Sequence, residues 1–213
     1  MIFPSFVASR RSRRAVRLSR GLQPRRFIAL SSRQGEIVLA ANAVLLNFMQ
    51  LAAFGLDGFA FATEAMVGRQ VGAGSHAGFR AAVRAGFVWS LPLAAALAAA
   101  FALAGPIAIR LMTGIPEVRS AADLWLPWLI AAPLVSVSAF MFDGVFLGAT
   151  RARDLRNAMA LALAVFLVAA WSLPPAFGNH GLWMALLLLN AARGVILALL
   201  FAHLERRRGF VGG

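Results

Sequence analysis

The sequence predicts an all-α, polytopic membrane protein with about five transmembrane helices. Three observations carry this reading. Apolar residues make up 61% of the chain and charged residues only 14%. The charge is confined to short runs, whereas a soluble domain spreads it over every surface element. Five apolar segments, approximately 38–66, 83–112, 122–149, 157–174 and 182–204, are each long enough for the roughly 20 residues of a bilayer crossing. Proline falls inside the second segment (Pro92, Pro106) and the third (Pro127, Pro133), which membrane helices tolerate as kinks when neighbours satisfy the freed carbonyls.

Composition also excludes classes of function. The net charge is +13, supplied by arginine with no lysine. A basic balance can mark a nucleic-acid binder, but the aromatics lie within the apolar runs and not among the arginines. Positive-inside topology explains the basic clusters better, so no nucleic-acid partner is expected. There is no cysteine, hence no disulfide and no thiolate metal site. His76, His180 and His203 are far apart in sequence and form no ligand motif, so neither a metal nor a cofactor is expected. No histidine falls mid-helix beside an acid or serine, which leaves a membrane-embedded enzyme without its constellation.

Residues 1–36 hold nine arginines, in RRSRRAVR and QPRRF. This stretch is too polar to span a bilayer and lacks the apolar core of a signal peptide. It reads either as an arginine-rich arm against anionic headgroups or as a disordered or non-native segment. Residues 37–205 form the membrane part and 206–213 a cytoplasmic tail.

The first apolar segment lies in Ile37–Gly74 and carries two acids in its second half. Gln50, Asp57 and Glu64 are spaced by seven, with Asn47 three before Gln50. Positions seven apart fall within roughly 20° of one helix face, giving a polar stripe about 21 Å long. Lipid penalises each carboxylate by several kcal/mol, so such a stripe is expected to face a water-filled cavity or a bundle interior. Gly68 and Gly72 end this segment at a GxxxG spacing, which Gly144 and Gly148 repeat in the third segment. Both pairs read as close helix packing.

Asp143 lies near the end of the third segment, with Ser136 seven earlier on the same face. In the last segment, NAARG places Arg193 near the midpoint, with Asn190 one turn away. A guanidinium at that depth needs a partner or water. Depth along the helices makes Asp57 the preferred ion-pair partner and Asp143 the second. The pair reads either as a static register lock or as one that opens when protons or substrate bind. Glu64, near a helix end, is the more ordinary interfacial acid.

The loops assign sides. Residues 69–84, 151–156 and the tail are basic and alternate with the poorer loops 113–121 and 175–181, which puts the basic set in the cytoplasm. Residues 1–36 would then start outside, against the same rule, so an upstream helix is expected to be missing or the first helix not to insert normally.

The stretches LAANAVLLNF, LDGFAFATEAMVG, GAG, FMFDGVFLGATRARDLRNAM, HGLW and AARG resemble the DinF-like branch of the multidrug and toxic compound extrusion (MATE) family. They occur in the family's order between about Arg33 and His203. The resemblance implies helices eight to twelve of a twelve-helix fold, most of the C-terminal one of two lobes. It implies export of an organic, often cationic, substrate in exchange for H+ or Na+ by alternating access, at the inner (cytoplasmic) membrane and in contact with lipid. Asp143 matches the region of a tenth-helix acid that some relatives use for cation coupling. Arg69 stands where the family carries an uncharged residue. The N-terminal lobe, with its first-helix coupling acid, has no counterpart here, so the chain is expected to be a fragment, inactive alone. The alternatives are a non-catalytic membrane subunit pairing with a separately encoded N-terminal lobe, and a relative of the lipid-linked oligosaccharide flippases. The latter need more intramembrane cations than Arg193 supplies.

Overall fold

A computed structural model describes residues 35–206 together with Phe27 and Phe210. The described residues form five helices: α1 (Glu36–Gly72), α2 (His76–Met112), α3 (Pro116–Gly148), α4 (Ala152–Ser172) and α5 (Pro174–Arg206). All five are long and apolar enough to cross a membrane. The protein is therefore all-α and multi-pass. The expectations for residues 1–34 lie outside the described residues, Phe27 excepted.

The helices outrun the apolar segments that predict them. α1 and α2 have 37 residues each, or about 55 Å at 1.5 Å per residue, against a hydrocarbon core of roughly 30 Å. The surplus is polar: α1 continues through Arg69, and α2 begins with His76 and Arg80. Hydropathy marks where lipid ends, but the backbone ladder continues until a residue breaks it. At the α1–α2 turn that residue is Gly74, with φ of 67°. Ser75 then caps α2, its hydroxyl accepting from the Gly78 N–H at 3.1 Å. α3 starts on Pro116, which has no amide to leave unsatisfied. In α5 the backbone leaves helical geometry at Gly178 (φ 54°, ψ −134°), so the membrane-crossing part begins at Asn179.

α3 is the centre of the bundle. Two thirds (67%) of its apolar window is buried, against 22% for α1 and for α2. It packs against α1, α2 and α5, while α4 leans mainly on α5. Lipid gives no hydrophobic drive for helices to associate, so close van der Waals contact must hold them, and small residues permit it. Gly144 and Gly148 of α3 lie against the backbone of Ala60 and Glu64 on α1, and Gly68 faces Gly148. Gly86 of α2 meets Thr63 of α1, Gly105 of α2 meets Leu126 of α3, and Gly194 of α5 meets Ser138 of α3. Gly72 departs from the expectation: a Cβ there would meet nothing within 4 Å. It is the last residue of α1, already beyond the crossing with α3.

α1, α3 and α5 run parallel, with their N-terminal ends at one end of the bundle, as the bonds between Asn42 and Asn179 and between Trp128 and His180 require. The basic turns gather at the other end, where Arg80 pairs with Glu205. There Phe210 is buried against Phe79, Phe146 and Phe201. Outward-facing side chains are large and apolar, including Leu103 at 81% and Trp171 at 84% exposure, as a lipid-facing surface requires.

Candidate functional site

Between α1, α3 and α5 lies a cavity of about 220 Å³. α1 contributes Gln50 and Asp57, α3 Pro133, Ser136 and Phe140, and α5 Asn190 and Arg193. Leu46, Met49, Leu56, Leu186 and Phe27 complete its apolar walls. Polar groups from three separate helices thus converge on one space among membrane-crossing segments. Proline at 133 adds a backbone effect: it cannot donate to the carbonyl of Leu129, one turn earlier in α3.

The charged part of the site is built on the α3–α5 contact. Gly194 sits against Ser138, which brings α5 close enough for the preceding residue to reach α3. Arg193 is 3% exposed and Asp143 1%, and Arg193 Nη2 lies 3.8 Å from Asp143 Oδ2. The guanidinium also sits 5.2 Å from the centroid of the Phe140 ring, near enough for a cation–π contribution. A buried pair of this kind offsets desolvation only while both charges are present. Asn190, one turn before Arg193, donates to the Leu186 carbonyl at 3.3 Å.

These positions revise the expected stripe and the expected pair. Gln50, Asp57, Ser136, Asn190 and Arg193 come together on the cavity. Asn47 does not: it is exposed on the outside of α1, because it lies about 60° from the Gln50 direction at 100° per residue. Glu64 is half-buried but lies beyond the cavity. One turn before it, α1 closes onto α3 where Ala60 meets Gly144, and the Glu64 carbonyl itself lies against Gly148. Asp143, placed second as a partner, holds the ion pair with Arg193, while Asp57 lines the same cavity. Depth along a helix measures only one coordinate. The lateral one is set by α3, which packs on both α1 and α5.

A second polar group went unforeseen. Trp183 Nε1 can only donate, and it donates to Asn42 Oδ1 at 2.9 Å. That fixes the amide of Asn42, whose Nδ2 donates to Asn179 Oδ1 at 2.7 Å, and Asn179 Nδ2 returns a bond to Asn42 Oδ1 at 2.9 Å. All three residues are buried. Next to them, Trp128 Nε1 donates to His180 Nδ1 at 2.9 Å. The available signal was one asparagine early in an apolar helix and another directly after a glycine, some 137 residues apart.

Among the described residues, no group of three or more His, Asp or Glu could hold a metal ion. Five membrane-length helices, three of which line a cavity that holds Asp57 and Arg193, define a polytopic membrane protein. Residues 27–172 match the family model MatE. The chain is also 39% identical, over 169 residues, to DNA damage-inducible protein F of Escherichia coli (strain K12), which covers 79% of this chain and 37% of that protein. The chain belongs to the MatE family and is DinF-like. It spans little more than a third of the length of that relative.

Proposed function

We propose that residues 37–205 form most of one lobe of a multidrug exporter of the inner membrane, one that exchanges an organic cation for H+ or Na+. The carrying observation is the cavity in which Asp57, Gln50, Ser136, Asn190 and Arg193 converge from three membrane-crossing helices. Ionisable groups at membrane depth are expensive and mark substrate or ion pathways. Asp57 offers a carboxylate to a cation entering the cavity. The Arg193–Asp143 pair supplies a coupling element: protonation or cation binding at Asp143 would free Arg193 to move along the cavity wall. A transport cycle needs a second, opposing lobe, so the chain by itself is inactive in this reading, and the cavity is one wall of the pathway.

The test is a chimera. Residues 33–203 replace the matching segment of the E. coli relative, and cells lacking their own exporters are assayed for energy-dependent efflux of a fluorescent organic cation. Efflux by the chimera, its loss in Asp57→Asn, and no efflux by the 213-residue chain alone are the expected results. A chimera that inserts and exports nothing would count against the reading. Dissipating the proton gradient and the sodium gradient separately identifies the coupling ion.

A further inference from the structure

We propose that the cavity selects ammonium ions that carry N–H groups over quaternary ones, with Ser136 and Asn190 as the residues that select. The inference rests on reading the cavity as the substrate pathway. Among the described residues, the buried side chains with a neutral hydroxyl or amide are Asn42, Thr63, Ser90, Ser136, Asn179 and Asn190. Asn42 and Asn179 bond to each other through both amides. The Thr63 and Ser90 hydroxyls donate to the carbonyls of Phe59 and Phe87, about one turn earlier in their helices. The two that line the cavity differ from these four. The Ser136 hydroxyl makes no hydrogen bond to the described residues. Asn190 donates Nδ2 to the Leu186 carbonyl at 3.3 Å, which turns Oδ1 away from that carbonyl, and no described donor bonds to it. Both oxygens open on the cavity. At membrane depth a polar atom in this position costs free energy unless something in the cavity bonds to it.

The packing sets the two oxygens at one level. α3 and α5 run parallel, and Gly194 lies against Ser138. Ser136 stands two positions before that contact and Asn190 four, so they lie within about 3 Å of the same height at 1.5 Å per residue. On α1, Asp57 stands three positions before Ala60, which meets Gly144, eight beyond Ser136. Its carboxylate is therefore roughly 7 Å further toward the basic end of the bundle. Arg193, the basic residue on the wall, faces Asp143 at 3.8 Å. A cation entering the cavity meets two neutral oxygens and then a carboxylate.

The chemistry of those oxygens favours a donor. With its NH₂ turned to Leu186, Asn190 presents a carbonyl oxygen that can only accept, whereas a serine hydroxyl can do either. Asn190 thus gives the preference its direction. An ammonium with N–H groups can donate to both side chains while Asp57 attracts its charge. A quaternary ammonium carries the same charge and no donor. It keeps water from the two oxygens and returns no bond, and a site built on hydrogen bonding discriminates by the groups it leaves unpaired.

The probes are benzylammonium and benzyltrimethylammonium, both charged at neutral pH, titrated calorimetrically into the purified full chain in detergent. The first is expected to bind about tenfold more tightly. Asn190→Leu keeps the size of the side chain and removes the acceptor. Combined with Ser136→Ala, it should bring the two affinities within about twofold. Asp57→Asn should weaken both probes alike and leave their ratio unchanged. A ratio near one in the unaltered chain overturns the proposal, and so does a ratio that survives the double replacement, which would come from the bulk of the methyl groups. If the double variant does not accumulate, Ser136→Ala alone decides: its ratio should fall about threefold, and an unchanged ratio overturns the assignment. If neither probe binds the chain alone, the same ratio is read as inhibition of efflux by the chimera. A flat ratio with an exporting chimera overturns the selectivity alone. A tenfold ratio with a silent chimera removes the transport reading and leaves the selectivity, and no binding with a silent chimera overturns both.

Discussion

The guanidinium of Arg193 stands 3.8 Å from the carboxylate of Asp143, with both side chains almost wholly out of solvent. Such a pair is held by mutual dependence more than by net stabilisation. Replacing Arg193 by Gln removes the cation that faces the buried Asp143 carboxyl, and the loss should be about 3 kcal/mol. The double replacement Asp143→Asn with Arg193→Gln removes both charges and should recover more than half of that. Unfolding of the purified protein in detergent, run as a double-mutant cycle, gives the coupling directly. A double variant whose loss equals the sum of the two single losses would mean that the two charges do not depend on each other.

The two glycine pairs with the same spacing should behave differently. A Cβ on Gly144 would overlap the carbonyl oxygen of Ala60, and one on Gly148 that of Glu64. Backbone cannot swing aside as a side chain can, so Gly144→Ala should destabilise by about 1–3 kcal/mol. Gly72 has open space, so Gly72→Ala should be neutral or gain up to about 1 kcal/mol from helix propensity. Thermal shifts of the two variants, measured side by side, separate a spacing motif from a contact.

This contrast marks what was legible in the sequence. The five helices were, because runs of about 20 apolar residues have few other structural solutions. Their ends were not, since α1 and α2 continue past the lipid boundary on polar residues. In the site, a period of seven puts Gln50 and Asp57 on one helix face, and both line the cavity. It could not say where that wall stops, because the stop is the crossing of Ala60 with Gly144, a relation between two helices. For the same reason depth alone favoured Asp57 as the partner of Arg193, whereas Asp143 stands 3.8 Å from it. The Asn42–Asn179 contact joins residues from opposite ends of the chain, and no local pattern announces it.

Asn42 is the hub of the outer polar group, and its removal should be felt by both partners. Asn42→Ala strips Trp183 Nε1 and the Asn179 amide of their bonds in a buried setting. Each unsatisfied group costs about 1–3 kcal/mol, so a total loss of about 3 kcal/mol is expected. Trp183→Phe keeps most of the ring and loses one donor, and should cost about 1 kcal/mol. Denaturation of the two variants under identical conditions tests the ranking. A larger loss for Trp183→Phe would place the stabilisation in packing against Phe27 instead.

Asp57 and Glu64 differ by two turns of one helix, and the structure separates their expected roles. Asp57 lines the cavity shared with Arg193, whereas Glu64 lies past the point where α1 and α3 touch. In the chimera with the E. coli relative, Asp57→Asn should lower cation efflux at least tenfold, or about 1.4 kcal/mol, while membrane insertion and protein level stay unchanged. Asparagine keeps the shape of the side chain and removes only the charge, so a fall in efflux reports electrostatics. Glu64→Gln should fall by less than threefold. Equal effects of the two substitutions would extend the functional stripe through the crossing, and the Ala60–Gly144 contact would then have to open during the cycle. An intact rate in Asp57→Asn would move the cation-binding role to Asp143, whose release from Arg193 would become the step that substrate or proton drives.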